Sequence, residues 1–122
     1  MDDPVEQLRR IALALPEACE RVSHGEPSFF AGSRKSSRQF VAVDDHHHGR
    51  AQLACWCAAA PDAQEELIAE DPEHYFRPPY VGHRGWVGVR IDNEPDWAEV
   101  AEIVRDAYRQ VASKALRTQL DG

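Results

Sequence analysis

The densest group of potential metal ligands in the sequence is the run Asp44-Asp45-His46-His47-His48. Imidazole and carboxylate groups are good ligands for zinc or nickel. In an extended chain, however, successive side chains point to opposite sides, so only His46 and His48 would share one. The neighbouring sequence holds nothing that would complete a tetrahedral site. We therefore interpret the run as a solvated hairpin tip and predict neither a metal site nor a cofactor.

Three cysteines are the next candidates for chemistry, and two of them, Cys55 and Cys57, flank Trp56. In a strand both sulfur atoms fall on one face, with the residues about 6.6 Å apart along the chain, which is at the far edge of disulfide geometry. Because free cysteine is so often buried, we expect all three thiols to be reduced and at least two to be buried. A nucleophilic cysteine would need a paired histidine. We rank a cysteine- or metal-dependent enzyme last, predict no enzymatic activity and name no catalytic residue.

A third group combines cationic side chains with aromatic rings. Positive charge for phosphate and planar rings for stacking are what a nucleic-acid-binding surface requires. Gly82-His83-Arg84-Gly85 matches the GxxG of some RNA-binding modules, but here a strand follows, so we interpret it as turn geometry. An ordinary solvated sheet edge is the alternative for the whole group. The candidate nucleic-acid-binding residues are Arg34, Lys35, Arg38, Arg50, Arg77, Tyr80, His83, Arg84, Trp86 and Arg90.

The distribution of charge bears on this candidate surface, because the formal net charge is −7 and a basic patch supplies most nonspecific affinity for nucleic acid. Segments 28–60 and 74–91 carry seven basic and two acidic side chains, a net +5, whereas the rest of the chain carries −12. We interpret the first part as the sheet region and the second as the helices. The protein is therefore expected to be electrostatically two-sided, and any DNA binding to be weak and sequence-tolerant.

Periodicity predicts the elements that position these residues. Capping boxes at Asp3 and Asp96 open helices near 4–15 and 96–114, and an acidic helix is predicted near 62–70. Six short runs alternate with period two, as half-buried strands do. Pro78-Pro79 cannot donate ladder hydrogen bonds, so a rigid loop separates the last two strands. The predicted order is α-β-β-β-β-α-β-β-α, an α+β fold whose antiparallel sheet of about six strands is covered by helices on one face.

Length and composition limit the class of protein. With 122 residues, the chain is expected to form a single domain over 1–122. A hydrophobic content of 43% and a charged content of 29% are ordinary for a globular protein. No apolar run approaches the length of a membrane span, and the start of the chain does not resemble a signal peptide. The odd number of cysteines suits a reducing compartment. We expect a cytoplasmic protein with no membrane partner.

The stretch YVGHRGWVGVRID, from Tyr80 to Asp92, with DPEHYF just before it and HGEPSFF far upstream, resembles the MmcQ/YjbR-like family of small bacterial proteins. The resemblance extends from about Pro4 to Leu116, and none of its motifs is a catalytic signature. It implies a CyaY-like α+β domain and a "double wing" mode of DNA binding, through basic loops and the open face of the sheet. In the family a lysine often follows the fourth strand, where this chain has Ala58, and this departure weakens the basic face.

A different class of function remains open beside DNA binding. The same aromatic face would serve a small-molecule- or protein-binding module, which would not need the arginines. Binding that weakens steeply with salt would indicate DNA, whereas salt-insensitive binding would indicate a ligand pocket.

Overall fold

The structure is a computed structural model that describes residues 3–32, 35, 37–45 and 52–122. A short 3-10 turn, Gly82–Arg84, precedes the last strand. The elements in chain order are α1 (Pro4–Leu13), β1 (Ala18–Ser23), β2 (Glu26–Ala31), β3 (Arg38–Asp45), β4 (Leu53–Cys57), α2 (Ala63–Glu70), β5 (Tyr75–Phe76), β6 (Val87–Arg90), α3 (Trp97–Val111) and α4 (Lys114–Asp121).

The six strands form one sheet in the order β1-β2-β3-β4-β6-β5, and all neighbouring strands are antiparallel. The predicted α+β class, the antiparallel sheet of six strands and the element order as far as α3 are therefore confirmed. The connection from β4 to β6 passes through α2 and β5. It leaves β5 as an edge strand, with α2 packed against it.

The C-terminal helix was predicted to reach residue 114, but the structure divides this segment into two helices. Ala112 has an extended backbone, with φ −68° and ψ 148°, which ends α3 at Val111. Ser113 then caps α4, because its hydroxyl accepts a hydrogen bond from the backbone N–H of Leu116 at 3.2 Å. A serine at this position stabilises a new helix start, so the prediction of one continuous helix was wrong at its end.

One face of the sheet packs against α1 and α3 and holds the main core. Tyr75 pairs with Val89 across β5 and β6, and its hydroxyl donates a hydrogen bond to Glu99 of α3. The helix-covered face is therefore the face that carries Val89. Following the register across β6, β4 and β3, the buried side chains on this face are Val87, Val89, Cys55, Cys57, Val41 and Val43.

A β-bulge adds Phe40 to this face. Phe29 pairs with Val41 and Phe30 pairs with Gln39, so Phe40 has no direct partner on β2. A bulge places two residues of one strand opposite one of its neighbour. The Phe40 ring consequently meets Tyr108 of α3 edge to face, with centroids 5.4 Å apart and planes at 89°. Strict alternation along β3 would place Phe40 on the face opposite Val41, and the bulge puts both on the same face.

The face opposite α1 and α3, which we call the open face, carries Ser28, Ala42, Trp56 and Gly88 in one row across four strands. The chain between β5 and β6, residues 77–86, folds over part of it and is called the β5–β6 loop.

The division of charge is less clean than predicted. Residues 18–27, which were counted with the helices, form β1 and the start of β2. Part of the acidic charge, including Glu20 and Glu26, therefore belongs to the sheet itself. In the described ranges, no helix has the length and apolar character needed to cross a membrane.

Candidate nucleic-acid-binding loop and open-face cleft

The β5–β6 loop is held in place by the side chain of Gln64, which projects from α2. Its Nε2 donates hydrogen bonds to the carbonyl oxygens of Gly82 at 2.9 Å and Trp86 at 2.6 Å. The side chain of Arg77 packs over Gly82, since a Cβ added there would lie 2.7 Å from Arg77 Cγ. The N–H of Val81 also donates to the carbonyl oxygen of Pro79 at 2.7 Å. The two Gln64 hydrogen bonds tie the middle and the last residue of the loop to α2, and the other two contacts fold the loop on itself.

The loop presents charged and aromatic side chains to solvent. Arg77, His83 and Arg84 are exposed, and Tyr80 is 70% exposed on a backbone with φ 65°. The guanidinium carbon of Arg84 lies 5.3 Å from the centroid of the Trp86 ring, within cation–π range. Among the residues that the structure describes, neither Arg77 nor Arg84 forms an ion pair. Both guanidinium groups are available to an anion.

The structure brings only part of the predicted set together. Arg38 begins β3 at the end of the sheet where Val87 begins β6, so Lys35 and Arg38 lie at the same end as the β5–β6 loop. Both are exposed. Arg90 lies at the opposite end, 3.8 Å from Asp92, and is separated from the loop arginines by the length of β6.

Trp86 is not exposed as the prediction of a binding surface requires. It was a candidate for base stacking, yet it is only 6% exposed, because it lies on the open face beneath its own loop. Arg34 and Arg50 fall outside the described residues, as do His46, His47 and His48 of the proposed hairpin tip.

A cleft of about 680 Å³ lies on the open face beside the β5–β6 loop. Ser28, Ala42 and Trp56 form its floor, since they stand in one row across β2, β3 and β4. Tyr80 and Val81 contribute from the loop, and Trp86 lines it at the start of β6. We call this the open-face cleft; its other lining residues are Ser23, His24, Glu26, Gln39, Val43 and Asp44.

Asp44 is the least expected residue of the open-face cleft. The sequence placed it beside the three histidines, but β3 continues to Asp45 and the Asp44 side chain is only 1% exposed. It shares the open face with Ala42, two residues before it on the strand, and pairs with Ala54. No group of three or more histidine, cysteine or acidic residues with metal-binding geometry occurs in the described part of the chain.

The cysteines lie on the other side of the sheet or at its margin. Cys55 and Cys57 are buried on the helix-covered face with their Sγ atoms 3.8 Å apart. The contact with the Cys55 thiol and burial together raise the pKa of Cys57 well above its ordinary value. A protonated thiol is a poor nucleophile. Cys19 is partly buried. The prediction that at least two cysteines are buried is confirmed.

The fold defines a class of protein: an α+β domain whose antiparallel sheet has one face under helices and a loop folded over part of the other. The chain belongs to the YjbR family, whose model matches residues 13–110, as its motifs had indicated. None of the curated proteins compared with the chain matches it.

The fold is also that of a solved relative. The structure is similar to the crystal structure of the Deinococcus radiodurans protein DR2400, which carries the DUF419 domain, with a TM-score of 0.77. The two chains are 23% identical, and the match covers 99% of this chain and 92% of that one. At this identity the similarity shows the fold alone.

Proposed function

We propose that this YjbR-family protein is a non-enzymatic cytoplasmic protein that binds DNA weakly through the β5–β6 loop. The observation that supports the proposal most directly is the pair Arg77 and Arg84. Both are exposed and have no carboxylate partner within the described residues, on a loop tied down at Gly82 and Trp86 by Gln64. Guanidinium groups on an anchored loop contact phosphate with less loss of conformational freedom than groups on a mobile one.

The loop is a better candidate for DNA contact than the open face as a whole. The cleft on that face is lined by Asp44 and Glu26, which would repel phosphate. Tyr80 and His83 are exposed on the same loop and would supply rings for stacking. Lys35 and Arg38, at the same end of the sheet, would extend the basic surface.

Weak and sequence-tolerant binding is expected because of the remaining surface. The net charge of −7 opposes association whenever acidic surface approaches the duplex, within a Debye length of about 8 Å. The helices are also poorly suited to recognising bases in the major groove. The exposed faces of α2 and α3 carry acids such as Glu65, Glu66, Glu102 and Asp106, whereas base readout uses Arg, Asn or Gln.

The cysteines support the other parts of the proposal. The buried thiols Cys55 and Cys57 have no disulfide, which suits a reducing cytoplasm. Their burial and the raised pKa of Cys57 make a thiol-based enzyme a poor alternative.

The experiment that tests DNA binding is a salt titration of a labelled DNA duplex with wild-type protein and with the double variant Arg77→Ala, Arg84→Ala. Removing two phosphate contacts should make the slope of log K against log salt shallower by about 1.8, at ~0.9 per contact. The matched control is Arg10→Ala with Arg105→Ala, which makes the same change in net charge on α1 and α3. The control should keep the wild-type slope.

Two results would overturn the proposal. The first is that wild-type protein binds neither duplex nor single-stranded DNA at low salt. The second is that the loop variant and the helix variant change the slope equally, which would mean that net charge alone governs binding.

A further inference from the structure

The open-face cleft has the dimensions and lining of a small-molecule site. Its volume of about 680 Å³ falls within the range of ~300–1,000 Å³ typical of ligand pockets. Trp56 and Trp86 supply large apolar surfaces, and both are nearly buried in the protein. Such sites are mostly apolar with a few polar groups that orient the ligand. The polar groups here come chiefly from β2 and β3.

The charge of the lining selects the kind of ligand. Asp44 and Glu26 both line the cleft, and in its described lining there is no lysine or arginine. Asp44 is only 1% exposed, so its carboxylate acts in a low-dielectric setting where charge interactions are strong. A carboxylate has about four acceptor positions. Asp44 is therefore able to accept from a ligand N–H in addition to its interactions within the protein.

The aromatic residues favour the same sign of charge. Trp56 and Trp86 line the cleft, and Tyr80 contributes from the loop. The face of an aromatic ring attracts a cation, most strongly for tryptophan, and the attraction increases when water is excluded. An anion would instead be repelled by the two carboxylates.

We propose that the open-face cleft binds a small organic cation, an ammonium or amidinium group on an aromatic or apolar body. The cationic N–H groups donate to the Asp44 carboxylate, and the body packs against Trp56 and Trp86. Arg77 and Arg84, the proposed DNA contacts, do not line this cleft, although Tyr80 belongs to both surfaces. The inference does not depend on those arginines.

The test compares three probes that have nearly the same shape but differ in charge: benzamidine is a cation, benzamide is neutral and benzoate is an anion. Binding is followed by the NMR signals of the tryptophan indole N–H groups. Trp56 and Trp86 line the cleft, whereas Trp97 begins α3 and does not, so Trp97 is an internal reference. Benzamidine should shift the indole N–H signals of Trp56 and Trp86 saturably and leave the signal of Trp97 unchanged. Benzamide and benzoate should bind at least about tenfold more weakly, the factor expected for one charge-assisted hydrogen bond.

Two variants locate the site. Asp44→Asn should weaken benzamidine binding by at least about tenfold and reduce its advantage over benzamide. Because Asp44 is buried and that variant is at risk of misfolding, Ala42→Leu is the second variant, which fills the cleft from its floor. Ala42→Leu should abolish the shifts of Trp56 and Trp86 by benzamidine while keeping the wild-type salt slope for DNA.

The proposal is overturned by equal binding of benzamidine and benzoate, or by shifts of Trp97 as large as those of Trp56 and Trp86. It is also overturned if benzamidine produces no saturable shift, or if folded Ala42→Leu binds it as wild type does. Loss of DNA binding in the Arg77→Ala, Arg84→Ala variant has no bearing on these outcomes, so the two proposals are tested separately.

Discussion

The ring of Phe76 lies over Gly88, its partner on the neighbouring strand. A Cβ added to Gly88 would overlap the ring, and even the third-nearest ring carbon, Cε1, would be only 2.7 Å from it. Glycine weakens a strand on its own, because it has no side chain to pack. Here the aromatic ring of the edge strand occupies the space that a side chain would take.

Gly88→Ala should therefore destabilise the protein by about 1–3 kcal/mol, the usual range for overpacking a well-packed site. Urea denaturation measures the change in the free energy of unfolding. The same substitution in a Phe76→Ala background should have a much smaller effect, because the ring that it meets is gone. An equal loss in both backgrounds would show that the Phe76 ring is not the cause.

Gln64→Leu should loosen the β5–β6 loop. The variant removes the side-chain donor to the carbonyl oxygens of Gly82 and Trp86. The Gly82 oxygen still accepts from the Gly85 N–H, so the cost of about 1–3 kcal/mol for a buried acceptor that loses its hydrogen bond applies to Trp86. Hydrogen exchange of the Gly85 amide should become faster, because that amide bonds within the loop to Gly82. Gln110→Leu, exposed on α3, is the matched control and should stay within about 0.5 kcal/mol of wild type. Unchanged exchange at Gly85 in Gln64→Leu would contradict the anchoring role.

Tyr75 should make the protein lose stability at alkaline pH. Burial, and then the hydrogen bond to Glu99, raise the pKa of its hydroxyl. Above about pH 10 the unfolded chain releases this proton while the folded chain retains it, so the free energy of unfolding falls as pH rises. Tyr75→Phe should make the decline above pH ~10 shallower.

Tyr108 should act in the same direction, because burial raises its pKa as well. Denaturant midpoints measured from neutral to alkaline pH check both residues, with the double variant Tyr75→Phe, Tyr108→Phe giving the flattest curve. A Tyr75→Phe curve that runs parallel to the wild-type curve throughout would refute the assignment.

The thiols should differ in reactivity. A bulky maleimide should label at most Cys19 in the native protein, because Cys55 and Cys57 are buried and the pKa of Cys57 is raised. Cys19→Ser should leave no rapidly labelled thiol, and all remaining thiols should react once the protein is denatured. Rapid native labelling of two or more thiols, followed by mass spectrometry, would be the contrary result.

Much of the fold could be predicted because local patterns determine it. The capping boxes at Asp3 and Asp96 correctly indicated two helices, the acidic segment near 62–70 a third, and the period-two runs the six strands. The approximate bounds of these helices and strands were right because the spacing of apolar residues changes where one element ends and the next begins. The bulge at Phe40 and the cap at Ser113 were missed. Each depends on a single residue, and a periodic pattern over many residues does not reveal it.

The open-face cleft could not be predicted, because it depends on tertiary contacts. Gln64 reaches carbonyl groups 18 and 22 residues further along the chain, and nothing in its own helix pattern indicates this. The fold of the loop in turn decides that Trp86 is buried. Alternation along β3 puts Asp44 on the face of Ala42, but it indicates neither how deeply Asp44 is buried nor which residues surround it.

The two edges of the sheet resist extension by another chain in different ways. On one side β5 has only two residues, and after Arg77 the chain continues with Pro78-Pro79, which have no N–H to donate. On the other side β1 is six residues long, but it carries Glu20 and Arg21 side by side, and charged side chains on an edge disfavour pairing with a second strand. Glu20 is also bonded to Arg9 of α1, with Oε1 2.6 Å from Nε. A variant with apolar residues at both positions would present the longest unprotected strand of the molecule to its neighbours in solution.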